Sequence, residues 1–140
     1  MSDLTIIERQ VDGVVFVDLD GKILLGESNR QLHDAVRLLV QEGKKNVVLN
    51  LESVTRIDSS GLGELIASFA TLEKNGGKLK LMKMPSRVTE LMTITKLLTV
   101  FDIFENEDDA CASFHLTKDK TTGPLNQSTP QRLASGGSLL

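Results

Sequence analysis

Several residue types are absent or scarce in this chain of 140 residues, and each shortage excludes a class of protein. Trp and Tyr are absent, the net charge is −3, and Lys and Arg form no cluster. Proteins that bind nucleic acids use aromatic rings to stack on bases and basic patches to hold phosphates. We therefore expect no nucleic-acid partner, and we interpret Lys22 and Arg56 as single, solvated side chains.

Cysteine and histidine are also rare. Cys111 is the sole cysteine, which excludes an intrachain disulfide and favours a role as a small packing residue. His33 and His115 are the two histidines, and neither has the sequence spacing of a metal ligand. We expect neither a metal nor a cofactor.

Long apolar runs are missing as well. No run approaches the roughly 18 residues needed to cross a membrane, and no basic, apolar leader opens the chain. We therefore expect a cytoplasmic protein with no membrane contact. The hydrophobic content of 40% and the charged content of 25% are those of an ordinary globular domain.

The rest of the sequence is organised around residues 55–65. They follow the most apolar predicted strand, residues 46–51, and lead into an amphipathic helix. The apolar positions of that helix form one stripe, which consists of Leu62, Leu65, Ile66, Phe69 and Leu72. Gly76 and Gly77 are expected to end it.

From the residues alone, two interpretations of the start of this helix remain open. In the first, Ser59 or Ser60 is only the N-cap, whose hydroxyl accepts a hydrogen bond from the first turn. In the second, the helix start binds an anion, and Gly61 and Gly63 leave room for a close approach. Asp58 disfavours a free anion because it already places negative charge there, but a phosphate attached to a serine need not compete.

One motif resembles that of a known family, and it comprises Asn50-Leu51-Glu52 and, further on, Ile57-Asp58-Ser59-Ser60-Gly61-Leu62-Gly63. It is similar to the central motif of STAS domains of the anti-sigma factor antagonist type, and the resemblance extends over residues 3–116. It implies that Ser59 is phosphorylated by a partner serine kinase that is also the anti-sigma factor. Phosphorylation would break the complex with this kinase, and a separate serine phosphatase would reverse it.

The resemblance also implies a partner-binding surface around this serine. The motif contributes Asp58, Ser59, Ser60, Gly61, Leu62 and Gly63 to it. The loop after the second strand, usually Gly-Glu-Leu-Asp in the family, is Gly21-Lys22-Ile23-Leu24 here. Leu24 thus stands where an aspartate assists partner binding or phosphorylation, and Glu27 is the candidate substitute.

The predicted order of elements is β-β-α-β-α-β-α-β-α. Asp12-Gly13 predicts that the first two strands, residues 4–9 and 14–19, form an antiparallel hairpin. Parallel crossovers of one hand then place their helices on the same side. We expect an α/β, STAS-like fold, in which the hairpin continues into a mainly parallel sheet of four to five strands. The helices lie mostly on one face, and the other face is partly open.

Local signals refine this prediction. Ser28 with Gln31 suggests a capping box at the start of the first helix. Residues 78–82 alternate like a strand with one wetter face, and residues 101–104 predict an edge strand. Asn106 is expected to cap the last helix, whose acidic first turn suits the helix dipole.

Three loops should meet at one edge of the sheet. They are residues 21–28, 52–60 and 83–86, which all leave the carboxyl ends of parallel strands. Ser59 is expected near the middle of this edge, where a kinase could reach it. The STAS domain is expected to span residues 1–116, and the composition of residues 117–140 predicts a disordered, dispensable tail.

Three classes of function are compared. The favoured class is a regulatory binding module, an anti-sigma factor antagonist that is not an enzyme and leaves ATP to its partner. The alternative is a STAS subunit that docks on the ATPase of a lipid-transport ABC system. A nucleotide hydrolase is disfavoured because the chain offers no evident set of phosphate and Mg²⁺ ligands.

Overall fold

The computed structural model describes residues 3–116 and begins with the predicted hairpin. β1 (Leu4–Val11) and β2 (Val14–Ile23) are antiparallel, and Asp12 and Gly13 join them with φ angles of 51° and 78°. Two successive positive φ angles favour a type I′ turn, whose twist matches that of the strands. The Asp-Gly pair therefore sets the register of the first two strands.

The sheet has five strands in the order β1-β2-β3-β4-β5, antiparallel in the first pair and parallel in the others. The later elements are α1 (Glu27–Gln41), β3 (Asn46–Ile57), α2 (Ser59–Lys74), β4 (Lys78–Met82), α3 (Ser86–Ile94), a 3₁₀ turn (Leu98–Val100), β5 (Ile103–Phe104) and α4 (Glu107–Leu116). This arrangement confirms the predicted fold class and the edge position of β5. The tail predicted at residues 117–140 lies outside the described residues.

β3 is twice as long as predicted, because it continues from Leu51 to Ile57. After Leu51 only every third residue is buried, so the sequence loses the alternation of a strand. β2 follows β3 to its end with shifts of register, whereas the pairing with β4 ends at Asn50. The predicted loop of residues 52–60 is therefore mostly strand, and Asp58 alone separates β3 from α2.

The front face of the sheet, as we define it, is covered by α1, α2 and α3. Their buried apolar side chains pack against alternate residues of the strands. The helices contribute Leu32, Val36, Leu39, Leu62, Leu65, Leu72, Val88 and Met92, and the strands contribute residues such as Val17, Leu49 and Leu81. The predicted stripes of α1 and α2 thus form the larger core.

The back face is covered, among the described helices, by α4. A smaller cluster consists of Val14, Phe16, Val48 and Met82 from the strands with Ala110, Cys111 and Phe114 from α4. Burial raises the pKa of the Cys111 thiol, as suits the predicted packing residue. Asn106 caps α4 as expected, since its Oδ1 accepts from the N–H of Asp109 at 2.8 Å.

The prediction of a wetter face on β4 is wrong at Lys80, whose residue surface is only 6% exposed. α4 lies over this side chain, and its ammonium donates to Ser113 Oγ at 2.9 Å. The ammonium also lies 4.4 Å from the ring centroid of Phe114 and 3.9 Å from a carboxylate oxygen of Asp102. Desolvation lowers the pKa of Lys80, although Asp102 acts in the opposite direction.

Arg9 joins the hairpin to α4 on the back face. Its guanidinium donates to both carboxylate oxygens of Asp18, at 2.7 and 3.1 Å, and to Glu107 at 2.8 Å. Asn50 donates to the same carboxylate at 2.8 Å. The hydrogen bonds from Arg9 lower the pKa of Asp18 and outweigh its desolvation. A charged network thus surrounds the small back core.

The capping box predicted at the start of α1 is wrong. The helix begins at Glu27 and its N-cap is Gly26, whose φ of 109° suits a residue without a side chain. Ser28 therefore lies inside the first turn, where its hydroxyl accepts from the N–H of Leu24 at 2.9 Å and donates to its carbonyl. The serine fastens the preceding loop to the helix.

Candidate functional site

Asp58 is the single residue between β3 and α2, and it is the N-cap of α2. Its Oδ1 accepts from the N–H of Gly61 at 2.8 Å, and its Oδ2 accepts from the N–H of Leu25 at 3.1 Å. The expectation that Ser59 or Ser60 is the N-cap is wrong. A carboxylate one residue earlier reaches the same N–H groups, and the helix dipole favours its negative charge.

The hydrogen bonds of Asp58 fix its charge and its orientation. Partial desolvation acts to raise the pKa of this carboxyl, but the N–H groups of Leu25, Gly61 and Ser60 outweigh it and lower the pKa. The carboxylate is thus ionised at neutral pH and turned toward the backbone. It binds the loop after β2 to the start of α2.

Ser59 is the first residue of α2 and is exposed, whereas Ser60 is half-buried. Within residues 3–116, no group forms a hydrogen bond with the Ser59 hydroxyl. Asp58 already occupies the capping position, so the hydroxyl has no structural task at the helix start. The site therefore presents a free hydroxyl on a backbone that its neighbours hold in place.

The two glycines of the motif have different surroundings. A Cβ on Gly61 would collide with the carbonyl oxygen of Ile23 and lie 2.6 Å from a side-chain carbon of Ile57. A Cβ on Gly63 would meet nothing within 4 Å. The predicted close approach of another backbone is thus confirmed at Gly61 and not at Gly63, which leaves open surface beside Ser59. Leu62 is buried in the front core.

The loop after β2 reaches the site through Leu25 rather than through the residues predicted from the sequence. Leu24 is half-buried and held by Ser28, and Glu27 is exposed at the start of α1. Leu25 has 77% of its surface exposed and its N–H binds Asp58. The two successive leucines of this loop, Leu24 and Leu25, are the sequence feature that could have indicated an exposed apolar side chain.

The third loop does not flank Ser59. Pairing of β3 with β4 ends at Asn50, and Lys83 lies 3.6 Å from Glu52. At about 3.3 Å per residue, that point is roughly 20 Å along β3 from Ile57. α3 occupies the space beside the overhanging strand, and Arg87 donates to the carbonyl of Thr55 at 3.2 Å. Of the three predicted loops, only the loop after β2 meets the Asp58 connection beside Ser59.

A shallow depression of about 250 Å³ lies beside the site, between the first turns of α1 and α2. It is lined by Leu25, Gly26, Asn29, Arg30, His33 and Glu64. Glu64 lies 3.2 Å from His33 Nδ1 and accepts from Ser68 at 3.2 Å, so it joins the two helices. The sequence alone did not indicate this pair, because its members lie on different helices.

The described part of the chain contains no group of three or more His, Cys, Asp or Glu side chains placed to hold a metal ion. No helix within residues 3–116 has the length and apolar character needed to span a membrane. The site thus consists of the exposed hydroxyl of Ser59, the carboxylate of Asp58, which faces the backbone, and the exposed apolar side chain of Leu25 beside them.

Residues 5–110 match the STAS domain family, and the chain therefore belongs to it. It is similar to an anti-sigma F factor antagonist of Paenibacillus polymyxa, with 27% identity over 92 residues that cover 62% of this chain and 79% of that protein.

Two solved structures share the fold. One is an anti-sigma factor antagonist from Mycobacterium paratuberculosis, with a TM-score of 0.69 and 23% identity over 80% of this chain and 94% of that chain. The other is the Bacillus cell fate determinant SpoIIAA in its phosphorylated form, with a TM-score of 0.63 and 18% identity over 79% of this chain and 99% of that chain.

Proposed function

We propose that this protein is an anti-sigma factor antagonist that is switched by phosphorylation of Ser59. The unphosphorylated form binds an anti-sigma factor serine kinase in the cytoplasm, and phosphorylation by that kinase releases it. A serine phosphatase then restores the binding form. The observation that carries this proposal is the exposed Ser59 hydroxyl, which has no partner within residues 3–116 although it begins a fixed helix.

The STAS family and the anti-sigma factor antagonists among its relatives support the same role. The protein itself needs no cofactor, because ATP belongs to the kinase. Its task is to present Ser59 and the adjoining surface in one geometry. Asp58, Ser60, Gly61, Leu62 and Gly63 define that geometry, and Leu25 extends the surface beyond the residues that the motif supplies.

The switch acts through charge rather than through a change of fold. Phosphate adds about −1.5 to −2 charge at neutral pH. The helix dipole stabilises it by about 0.3–1 kcal/mol, and the Asp58 carboxylate repels it by a comparable amount. At an interface that fits a neutral serine, like charges cost several kcal/mol. We therefore expect phosphorylation to weaken partner binding about a hundredfold or more.

The test begins with affinity capture from the native host, with the wild-type protein and Ser59→Ala as baits. Mass spectrometry should identify a serine kinase of the anti-sigma type with both baits. The captured kinase is then titrated with wild-type protein, Ser59→Ala, Ser59→Asp and the phosphorylated protein. Ser59→Ala should bind but resist the kinase, and Ser59→Asp should bind weakly.

Ser60→Ala is the matched control and should be phosphorylated like the wild type. Equal affinities of the phosphorylated and unphosphorylated proteins, or phosphate on Ser60 alone, would refute the proposal. Capture of an ABC-transporter ATPase instead of a kinase would support the alternative role as a transport subunit.

The loop after β2 contributes to the same interface in our proposal, with Leu24 in place of the family's aspartate and Glu27 as its substitute. Glu27→Gln should slow phosphorylation of Ser59 or weaken kinase binding without changing the free energy of unfolding. Glu42→Gln, an exposed acid just past the other end of α1, is the control. If Glu27→Gln matches the wild type in both assays, Glu27 has no role.

A further inference from the structure

Two basic residues lie side by side one pair before the end of the β2–β3 ladder. Lys22 and Arg56 are register partners on adjacent parallel strands, and both are exposed. Neighbouring strands are about 4.8 Å apart. Both side chains are solvated, as interpreted from the sequence, but they are not isolated, because the fold brings two positive charges together on adjacent strands.

Neither cation has an acidic partner within residues 3–116. Asp58, two residues from Arg56, is bound to backbone N–H groups of Leu25 and Gly61. Asp20 is two residues from Lys22, and the carbonyl of Asp3 accepts from the N–H of Lys22 at 3.0 Å, but neither carboxylate forms an ion pair with the Lys22 ammonium. Like charges directly opposite each other on adjacent strands are destabilising. Two cations that repel each other and have no acidic partner within residues 3–116 form a suitable binding site for a further anionic group.

The pair is within reach of Ser59. The next pair of the ladder is Ile23 with Ile57, and the N–H of Asp58 then donates to the carbonyl of Ile23 at 3.4 Å. α2 thus starts directly beyond the end of this ladder. Arg56 and Ser59 are three positions apart, with Ile57 and Asp58 between them, and this length of chain spans at most about 11 Å.

We propose that Lys22 and Arg56 bind the phosphate of phosphorylated Ser59 within the same molecule. This inference rests on the proposed function, which supplies the phosphate. The guanidinium of Arg56 matches phosphate oxygens with two parallel N–H donors, and Lys22 adds a second positive charge. A tethered phosphate also has a high effective concentration at this pair, unlike a free anion.

The other charged groups near the start of α2 are less suited to bind the phosphate than Lys22 and Arg56. Arg87 already donates to the carbonyl of Thr55, and Glu27 and Arg30 lie on the first turn of α1. Asp58 is the acidic group that opposes the phosphate. Binding by Lys22 and Arg56 would offset that repulsion and remove the repulsion between the two cations. The phosphorylated form should therefore be well ordered at Ser59.

The test uses protein with phosphoserine installed at position 59 during translation, so that it does not depend on any kinase. The second pKa of the phosphate, ordinarily about 6, is measured by ³¹P NMR titration at low salt. It should be lower in the wild type than in Lys22→Ala/Arg56→Ala by about 0.5 units or more. The difference should shrink at 1 M salt, where exposed charges are screened.

Lys44→Ala/Lys74→Ala is the matched control, since it removes the same charge at the opposite ends of β3 and α2. It should leave the phosphate pKa unchanged. If alanine at both sites impairs folding, as judged by circular dichroism, Lys22→Gln/Arg56→Gln replaces that variant. Equal phosphate pKa values in the wild type and the charge-neutralised variant would overturn the inference. Arg30→Ala is measured as well, and the inference would also fail if this variant alone raised the phosphate pKa.

These results are separable from those of the proposed function. A lowered phosphate pKa with no kinase found in the host would support the phosphate site and count against the proposed switch. A kinase that phosphorylates Ser59, with no effect of Lys22 and Arg56 on the phosphate pKa, would leave the switch standing and refute this site.

Discussion

The two faces of the sheet are held in different ways. On the front, three helices bury aliphatic side chains against the strands, and Ser59, the proposed phosphorylation site, begins the middle helix. On the back, α4 covers a much smaller apolar cluster, with the Arg9 network at its start and Lys80 beneath it. The front thus relies on apolar burial, and the back adds polar contacts to a small core.

The front core stabilises the whole fold, whereas the back contacts mainly hold α4 against the sheet. A continuous apolar core contributes to every part of the fold that it joins, whereas a terminal helix over a small core depends on a few contacts. Burial costs a charge such as that of Lys80 its hydration, and this opposes the contribution of the surrounding rings. We expect substitutions on the front to have larger effects than their counterparts on the back.

The largest effect is expected from two adjacent residues of β4 that face opposite sides. Leu81 and Met82 are both 0% exposed, in the front and back clusters respectively. Leu81→Ala should lower the free energy of unfolding by about 3–5 kcal/mol and Met82→Ala by about 2–3 kcal/mol. Urea unfolding followed by circular dichroism measures both. A larger loss for Met82→Ala would reverse the proposed order of the two cores.

The helix caps extend the comparison. Asp58→Ala should cost about 1–2 kcal/mol, because the carboxylate binds both α2 and the β2 loop, and Asn106→Ala about 0.5–1 kcal/mol. The folded-state pKa of Asp58 is below its ordinary 3.8, so its contribution is complete above that value and disappears as pH falls through the lowered pKa. The difference between wild type and Asp58→Ala should therefore shrink in acid, unlike that for Asn106→Ala.

Lys80 should be replaceable with a gain in stability. Lys80→Met keeps the long chain and removes the buried charge, and should raise the free energy of unfolding at pH 7 by about 1 kcal/mol. The folded-state pKa of Lys80 is below its ordinary 10.5, so the wild type gains stability as pH rises from the lowered pKa to 10.5. The advantage of Lys80→Met should vanish over this range. Lys78→Met, an exposed neighbour, should show no such trend.

The smallest effect is expected where α4 meets Arg9. Both side chains of the Arg9–Glu107 pair are about one-third exposed, and Arg9 keeps Asp18 when Glu107 is neutralised. Glu107→Gln should cost less than about 1 kcal/mol, and less again at high salt. Asp108→Asn, on the exposed side of the same turn, is the comparison. A loss above 2 kcal/mol would show that the back depends on this pair.

The sequence predicted the fold where one physical signal dominates. Asp12-Gly13 defines the hairpin, and the stripe that begins at Leu62 defines α2. It failed where distant contacts decide. Residues 52–57 lack strand alternation because two register shifts against β2 each insert one extra residue into β3, and Lys80 resembles a solvated lysine until α4 covers it. No local pattern contains either contact.

The position of the proposed site was predictable, but its contacts were not. The motif placed Asp58 and Ser59 at the start of α2, but the aspartate rather than a serine caps the helix, and this frees the hydroxyl. Leu25 and the Lys22–Arg56 pair became apparent only when the loop and the register were known. Cross-strand neighbours are set by pairing, which a single sequence does not state.

The contrast between Gly61 and Gly63 has a consequence for how this region can vary. Any side chain at Gly61 displaces the end of β2 from α2, so replacements there should reduce the amount of folded protein in a cell. A Cβ at Gly63 meets nothing within 4 Å, so side chains there should leave abundance unchanged and obstruct a partner that lies against Ser59. A library of variants scored separately for abundance and for association would therefore assign neighbouring glycines to different selective pressures.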